Sequence, residues 1–312
     1  MAVQGQQAPK DNLGFDNRTE RNRKRTINHD GSFNVRRRNY FFREFHLYRW
    51  AITCQWKTYW LVVLIIYVAA NFIFASLYYL IGPENIVGIN GDQASQFWQC
   101  YFFSLQTFTT VGYGGLHPRG LLANSLAGFE AFLGLMTFAL ATGALYGRFS
   151  KPEARIRYSP NALIAPFQGG KALMCMMCND MNSNLAEVMA KINYSWVETD
   201  ETGNPVRRFQ PLKLEYEKVN MLALSWTIVH PITEESPLWG MSETDFERKE
   251  AEFLVMISAY DDTFAQTVYS RNSYVANEIV HNAKFRRPFY VDEHGYTVLD
   301  VKNLGEYDLL SA

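Results

Sequence analysis

Lysine and arginine vanish from this 312-residue chain between Lys57 and Arg119, and are missing again from there to Arg148. A stretch without positive charge that is filled instead with Phe, Tyr, Trp, Leu and Ile has the character of a membrane region rather than of solvated surface. Net charge is missing too. Thirty basic residues stand against 31 acidic ones, a balance of −1, so the total offers no footprint for nucleic acid. Cysteine is scarce: Cys54, Cys100, Cys175 and Cys178 do not make a disulfide framework. Cys175 and Cys178 form a CxxC, but within KALMCMMCND, which alternates like a strand. Residues three apart on a strand face opposite ways, which suits neither zinc nor a redox pair. No glycine-rich dinucleotide fingerprint occurs after residue 150, which argues against a Rossmann-type regulatory domain. No Ser/His/Asp or paired-carboxylate constellation stands out, so an enzyme has no support, and His230 in TIVHPI reads as a structural residue beside a strand end. The chain stays polar until Tyr59, so no cleavable signal peptide is visible.

What is present is ordered by charge. Basic residues crowd the start (Arg18 to Arg25, then Arg36 to Arg49) and return at Arg148, Lys151, Arg155 and Arg157. Residues 1–38 have few apolar anchors and are expected to form a mobile N-terminal tail. Residues 39–57 (NYFFREFHLYRWAITCQWK) mix aromatics with Arg and Lys at roughly helical spacing. That suits an interfacial helix with rings in the headgroups and basic side chains on anionic lipid; a soluble helix packed on a neighbour is the alternative. Residues 59–81 carry no charge, have Trp60 and tyrosines near the ends, and are long enough to span a bilayer. The loop from 82 to 95 holds only Glu84 and Asp92 as charges, so the positive-inside rule puts this loop outside and both termini in the cytoplasm.

Residues 95–108 (SQFWQCYFFSLQTF) are apolar but too short to cross, and Thr110-Val111-Gly112-Tyr113-Gly114 follows. Glycine at alternate positions permits backbone angles closed to other residues, so successive carbonyls can face one axis and, with the Thr110 hydroxyl, replace the water around a cation. A Gly-rich turn is the plainer alternative. A short helix that descends and returns through irregular backbone survives at membrane depth only when protein or a water-filled cavity surrounds it. Neighbouring copies are therefore required, and four close a ring of carbonyls.

Residues 121–149 form the second span, rich in Gly and Ala that allow close helix approach. Glu130 is the ionisable group inside it. A buried carboxylate there is costly, so it is expected to face protein behind the 110–114 stretch and accept hydrogen bonds. Gly134, Phe138, Thr142 and Tyr146 recur every four residues. This face either lines a cavity, with Tyr146 narrowing its exit, or packs its bulky residues on lipid and the first span. From residue 151 to 312 short alternating runs separated by turns (Gly169-Gly170, Asp200 to Pro205, Pro237 to Gly240) indicate an all-β sandwich.

Together, FFSLQTFTTVGYGGLHP, the interfacial LYRW, the span ending in GRFSKP, and IRYSPNALIAPF, LSWTIVHPITEESPLWG and QTVYSRNSY resemble the inward-rectifier potassium channels, in their prokaryotic branch. The likeness runs from about Phe41 to Asp308. It implies a homotetrameric two-span pore (residues 58–150) above a cytoplasmic immunoglobulin-like β-sandwich, in a plasma or inner membrane, conducting K+ passively. Thr110 to Gly114 would be the selectivity filter, with K+ held at Thr110, Val111, Gly112 and Tyr113, and no cofactor is implied.

The same resemblance assigns further roles. Phe138 stands where strong rectifiers place an acid that holds blocking Mg2+ or polyamine, so rectification is expected to be weak. Glu187 matches a second acidic ring, and Thr142 belongs to the cavity. Tyr146 matches a gate, and residues 260–267, with Tyr260, Ala265 and Thr267, match a second constriction. Gly134 and Gly143 would be hinges. Trp56, Lys57, Arg148, Lys151 and Arg155 occupy lipid-contacting places, where basic residues attract anionic headgroups in any case. Gln106 stands where many relatives carry Glu, and no Arg follows the filter, so filter support must come from elsewhere, Glu130 included. Cys100 lacks the partner that an extracellular disulfide would need. A membrane-anchored sensor or binding module that conducts little is the competing reading.

Overall fold

Charge-free apolar segments become long helices because, away from water, only intrahelical bonds satisfy the backbone. In the computed structural model, which describes residues 25–35, 47–150, 155–181 and 183–310, the chain divides into two units, Asn39–Lys151 and a second made of Met1–Arg38 with Pro152–Ala312.

In the first unit a short helix α1 (Leu47–Thr53) precedes α2 (Trp56–Ile81). The expected interfacial helix is therefore confined, among the described residues, to 47–53; residues 39–46 lie outside them. The break falls at Gln55, whose extended backbone starts the next helix, so Trp56 and Lys57 belong to the first turn of α2 and not to the end of the interfacial helix. α2 buries Asn71, Phe74, Ala75 and Tyr78, an i, i+3, i+4, i+7 stripe. α3 (Gln93–Phe108) begins two residues earlier than the apolar run suggests because Asp92 caps it, accepting from Ser95 N at 3.1 Å. It buries Cys100, Phe103, Ser104 and Phe108. α4 (Gly120–Phe149) turns a narrow stripe of Ala123, Ala127, Glu130 and Gly134 inward. The two-residue strands β1 (Ile86–Val87) and β2 (His117–Pro118) pair antiparallel and close the loops at one end of the unit. Helices α2 and α4 are both long and apolar enough to cross a membrane.

The second unit is a sandwich. Its strands are β3 (Ile156–Tyr158), β4 (Ala162–Phe167), β5 (Gly170–Asn179), β6 (Leu185–Thr199), β7 (Pro205–Leu212), β8 (Lys218–Met221), β9 (Ser225–Ile232), β10 (Glu252–Asp261), β11 (Gln266–Val275) and β12 (Ile279–His281). One sheet runs β11-β10-β6-β7 with β8 also on β6; the other runs β12-β4-β5-β3 with β9 on β5. Inward residues such as Cys175, Met177, Ile192, Tyr194, Phe253, Val255 and Tyr274 fill the space between them. Cys178 instead packs with Met176 and Leu304 in a separate cluster, so the two cysteines of the CxxC face opposite ways. Burial pushes the Cys175 thiol up to about 12 and Cys178 up to about 11, keeping both as thiols.

The N-terminal tail is not all mobile. Residues 25–35 are held on this unit, and residues 1–24 lie outside those described. Thr26 donates its N–H (2.6 Å) and hydroxyl (2.7 Å) to the buried carboxylate of Glu252. Ser273 Oγ donates to Ile27 O at 2.6 Å, and Arg25 pairs with Glu278. The expectation of a tail read only composition; a single apolar anchor, Ile27, fully buried, and one buried acid suffice to order the segment.

Candidate functional site

The site begins with backbone angles. Thr110, Gly112 and Gly114 have φ of 60°, 56° and 83°, alternating with Val111 and Tyr113. Alternation between left-handed and ordinary backbone turns successive carbonyls to one side, the arrangement that a ring of cation-coordinating oxygens needs. For Thr110 the left-handed conformation costs of order 1 kcal/mol, so something must hold it. The last turn of α3 does. Thr110 N donates to Thr107 O at 3.0 Å, Val111 N to Gln106 O at 2.9 Å and Gly112 N to Gln106 O at 3.4 Å. Gln106 thus meets the 110–114 stretch through its carbonyl. Val111 and Tyr113 are exposed, Tyr113 by 81%.

Behind α3 lies a buried polar cluster. Glu130 accepts one hydroxyl on each oxygen, from Tyr78 at 2.6 Å and from Ser104. Asn71 Oδ1 lies 3.1 Å from the Ser104 hydroxyl, and Asn71 Nδ2 donates to Tyr67 O. Glu130, Ser104 and Asn71 are all fully buried. Tyr78, Ser104 and Asn71 did not stand out in the sequence. Asn71 was open to the argument that singled out Glu130, since a polar side chain inside a span is costly unless it has work.

The face proposed from Gly134, Phe138, Thr142 and Tyr146 divides. Phe138 and Tyr146 are exposed by 71% and 74%, and Thr142 is exposed. Phe138 and Thr110 line one apolar cavity of about 650 Å³ together with Trp60, Tyr67 and Phe108. Gly134 is different. It is buried, and a Cβ there would lie 2.0 Å from Phe108 O, so it sits against the end of α3, at the wall of the same cavity. α4 is helical without interruption through Gly134 and Gly143, and a Cβ on Gly143 would meet nothing within 4 Å.

The lipid-contacting set also changes. Arg148 donates Nη1 to Ala51 O at 2.6 Å and Nη2 to Cys54 O at 2.7 Å. Its guanidinium stacks 4.4 Å over Trp56 and 5.0 Å over Tyr59. Those carbonyls belong to the end of α1, where orphan acceptors and the helix dipole favour a cation. Arg148 is therefore a clamp that holds these helix ends together. Lys57 and Arg155 are exposed, and Lys151 lies outside the described residues.

In the β unit Glu187 occupies a bulge of β6, with φ 53°, and its carboxylate is ion-paired with Lys218 of β8. The acid expected to belong to a second acidic ring thus has a cation beside it. Tyr260 and Thr267 pair across the β10–β11 hairpin, whose tip includes Ala265 at φ 51°. Asp261 holds that tip, accepting from Thr263 N and Phe264 N. His230 lies within β9, bonded to Lys213 O and Ser236 Oγ, both at 2.7 Å, which is a structural placement.

Known proteins carry the same pattern. Residues 156–310 match the family model described as inward rectifier potassium channel C-terminal domain, and residues 62–151 match that described as ion channel. The chain is similar to inward rectifier potassium channel Kirbac3.1 of Paramagnetospirillum magnetotacticum, at 31% identity over 90% of this chain and 95% of the relative. It is also similar to inward rectifier potassium channel 18 of Homo sapiens, at 26% identity over 66% of this chain and 50% of that one. A structural likeness to Spo0M, the sporulation control protein of Bacillus subtilis, has a TM-score of 0.24 at 8% identity, over 42% of this chain and 50% of that one, and carries no argument.

Proposed function

This chain belongs to the inward-rectifier potassium channel family, and from that premise we propose that four copies conduct K+ through one pore whose selective oxygens come from Thr110, Val111, Gly112 and Tyr113. The observation that carries the assignment is the alternating backbone at Thr110, Gly112 and Gly114, tied by hydrogen bonds to Thr107 and Gln106. Dehydrating K+ needs oxygens already in place, because a flexible strand would have to order itself around each ion. The channel is passive and needs no cofactor.

Phe138 and Thr142 face the cavity below these oxygens, and Tyr146 narrows its exit. A phenyl ring at 138 gives no charge for Mg2+ or polyamine, so rectification is weak. The hairpin carrying Tyr260, Ala265 and Thr267 forms a second constriction. Anionic lipid meets Lys57, Lys151 and Arg155, and both termini are cytoplasmic. The sensor alternative is not favoured, because the family match covers the membrane and the β parts alike. Flux of rubidium or potassium into liposomes holding the purified protein tests the reading. Potassium-selective, barium-blocked uptake is expected; equal passage of sodium would overturn it.

A further inference from the structure

A cavity in the β unit has no part in conduction. It holds about 560 Å³, enough for a small organic molecule. Four pieces of chain far apart in sequence make it. β4 and β12 run parallel with Ile164 opposite His281, and both residues line the wall. The turn after β4 brings in Lys171 near the start of β5. The segment after β9 adds Leu238 and Trp239. Its turn is fixed where Trp239 N donates to Ser236 O at 3.0 Å and the His230 ring bonds Ser236 Oγ at 2.7 Å. A short helix α5 (Glu243–Arg248) supplies Phe246, buried, with its ring 5.6 Å from that of His281.

The chemistry of this wall is selective. Ile164 and Leu238 are buried and apolar, while Trp239 leaves 55% of its surface to solvent. Three rings, those of Trp239, Phe246 and His281, offer faces and edges to a flat guest. Lys171 is exposed and makes no ion pair among the described residues, and no carboxylate among them lines the cavity. The His281 ring nitrogens and Trp239 Nε1 have no hydrogen-bond partner among the described residues. Burial holds His281 below its ordinary range, with Glu243 opposing and Lys171 assisting. The imidazole is therefore neutral near pH 7 and brings an N–H donor without a second charge. One cation beside stacking surfaces matches one negative charge on an aromatic frame; a phosphate, nearly doubly charged at pH 7, would leave charge unmatched. We propose that this cavity binds small aromatic carboxylic acids, with the ring against Trp239 and Phe246, the carboxylate on Lys171 Nζ and an N–H from His281. The site stands independently of the channel reading.

The test is a saturation-transfer NMR titration of the full-length protein in nanodiscs, with indole-3-acetate as the probe and empty nanodiscs as the blank. Saturable binding is expected with a Kd of about 1 mM, the affinity that ordinary ligand efficiency gives a probe of this size. Indole-3-ethanol keeps the ring and loses the charge, and tryptamine reverses it. Each should bind at least about tenfold more weakly, the effect of losing a hydrogen bond to a charged group. Lys171→Gln and Trp239→Ala should also weaken indole-3-acetate about tenfold. Both side chains are exposed, so each variant should keep the wild-type melting temperature of the β unit by circular dichroism. If one variant does not fold, the other and the probe series decide. An absence of saturation up to about 10 mM would overturn the site. Wild-type binding by both variants would do so too, by putting the probe elsewhere, and equal binding of the three probes would overturn the assignment of an acid.

Discussion

The guanidinium of Arg148 lies 4.4 Å over the ring of Trp56 while donating at 2.6 Å to the Ala51 carbonyl. One side chain thereby joins the end of α4, the end of α1 and the start of α2. A lysine has the charge but not the fork, and cannot reach Ala51 O and Cys54 O together. Arg148→Lys and Arg148→Gln are therefore both expected to destabilise this junction, by roughly 1–3 kcal/mol, and to change flux in liposomes lacking anionic lipid. Lys57→Gln should act in the opposite regime. It leaves flux in neutral lipid unchanged and weakens the response to anionic lipid, at about 1 kcal/mol for one headgroup-level cation. Titrating the anionic lipid fraction for each variant separates them, and an Arg148→Gln defect confined to anionic membranes would contradict the clamp.

Rectification depends on which acids are free to meet a blocking cation. Phe138 supplies none, and the charge of Glu187 is matched by Lys218. Phe138→Asp should increase voltage-dependent block by internal magnesium or spermine. Lys218→Ala should increase it too, by releasing Glu187, while Glu187→Gln alone changes little. Inside-out patch recordings with spermine in the bath would show the order. Unchanged block in Phe138→Asp would mean that residue 138 does not face the cavity.

Glycine at 112 and 114 is required by angle. Both have left-handed φ, and a Cβ at either would meet nothing within 4 Å. Alanine there opposes the carbonyl alternation at a cost of about 1–2 kcal/mol per position without blocking assembly. Gly112→Ala and Gly114→Ala are expected to run as tetramers on gel filtration and to lose potassium-selective, barium-sensitive uptake. Selective uptake at the wild-type level would reject the assignment of these carbonyls.

Much of this architecture is legible in the residues because two physical signals are strong. The absence of lysine and arginine from 58–118 and again from 120–147 marks the spans, and alternation after Pro152 marks the sandwich. Both signals report burial, and burial does not name a partner. Gly134 shares a four-residue spacing with Phe138 and Tyr146, yet α3 crosses α4 at that point and takes it out of the exposed row. Arg148 reads as a lipid ligand because the family resemblance puts lipid contacts at the end of the second span; the carbonyls that hold it lie almost a hundred positions earlier. Composition also hides the ordered stretch 25–35, since the carboxylate that fastens Thr26 is Glu252. The start of α3 is not read from the sequence because the apolar run begins at residue 95, while the Asp92 cap moves it to Gln93.

Histidine burial gives the β unit a pH dependence whose sign is fixed. Desolvation holds His230 below its ordinary range, opposed by its bond to the Lys213 carbonyl, and burial lowers His281 as well. Both are thus neutral in the fold, while the unfolded chain takes up protons below about pH 6.5. The unfolded state then binds more protons than the folded one, so stability rises with pH through this window. It is complete above about pH 6.5 and declines as the pH falls from there toward the lowered folded values. Melting of the detergent-solubilised tetramer, followed from pH 8 to pH 5 by circular dichroism, should show the β transition falling below that point. Carboxylates contribute a background common to all variants. His230→Gln should lower the melting temperature at pH 8, because Ser236 Oγ and Lys213 O lose a close partner, and should flatten the decline at lower pH. A decline as steep as in the wild type would assign the effect to His281 or to the acids.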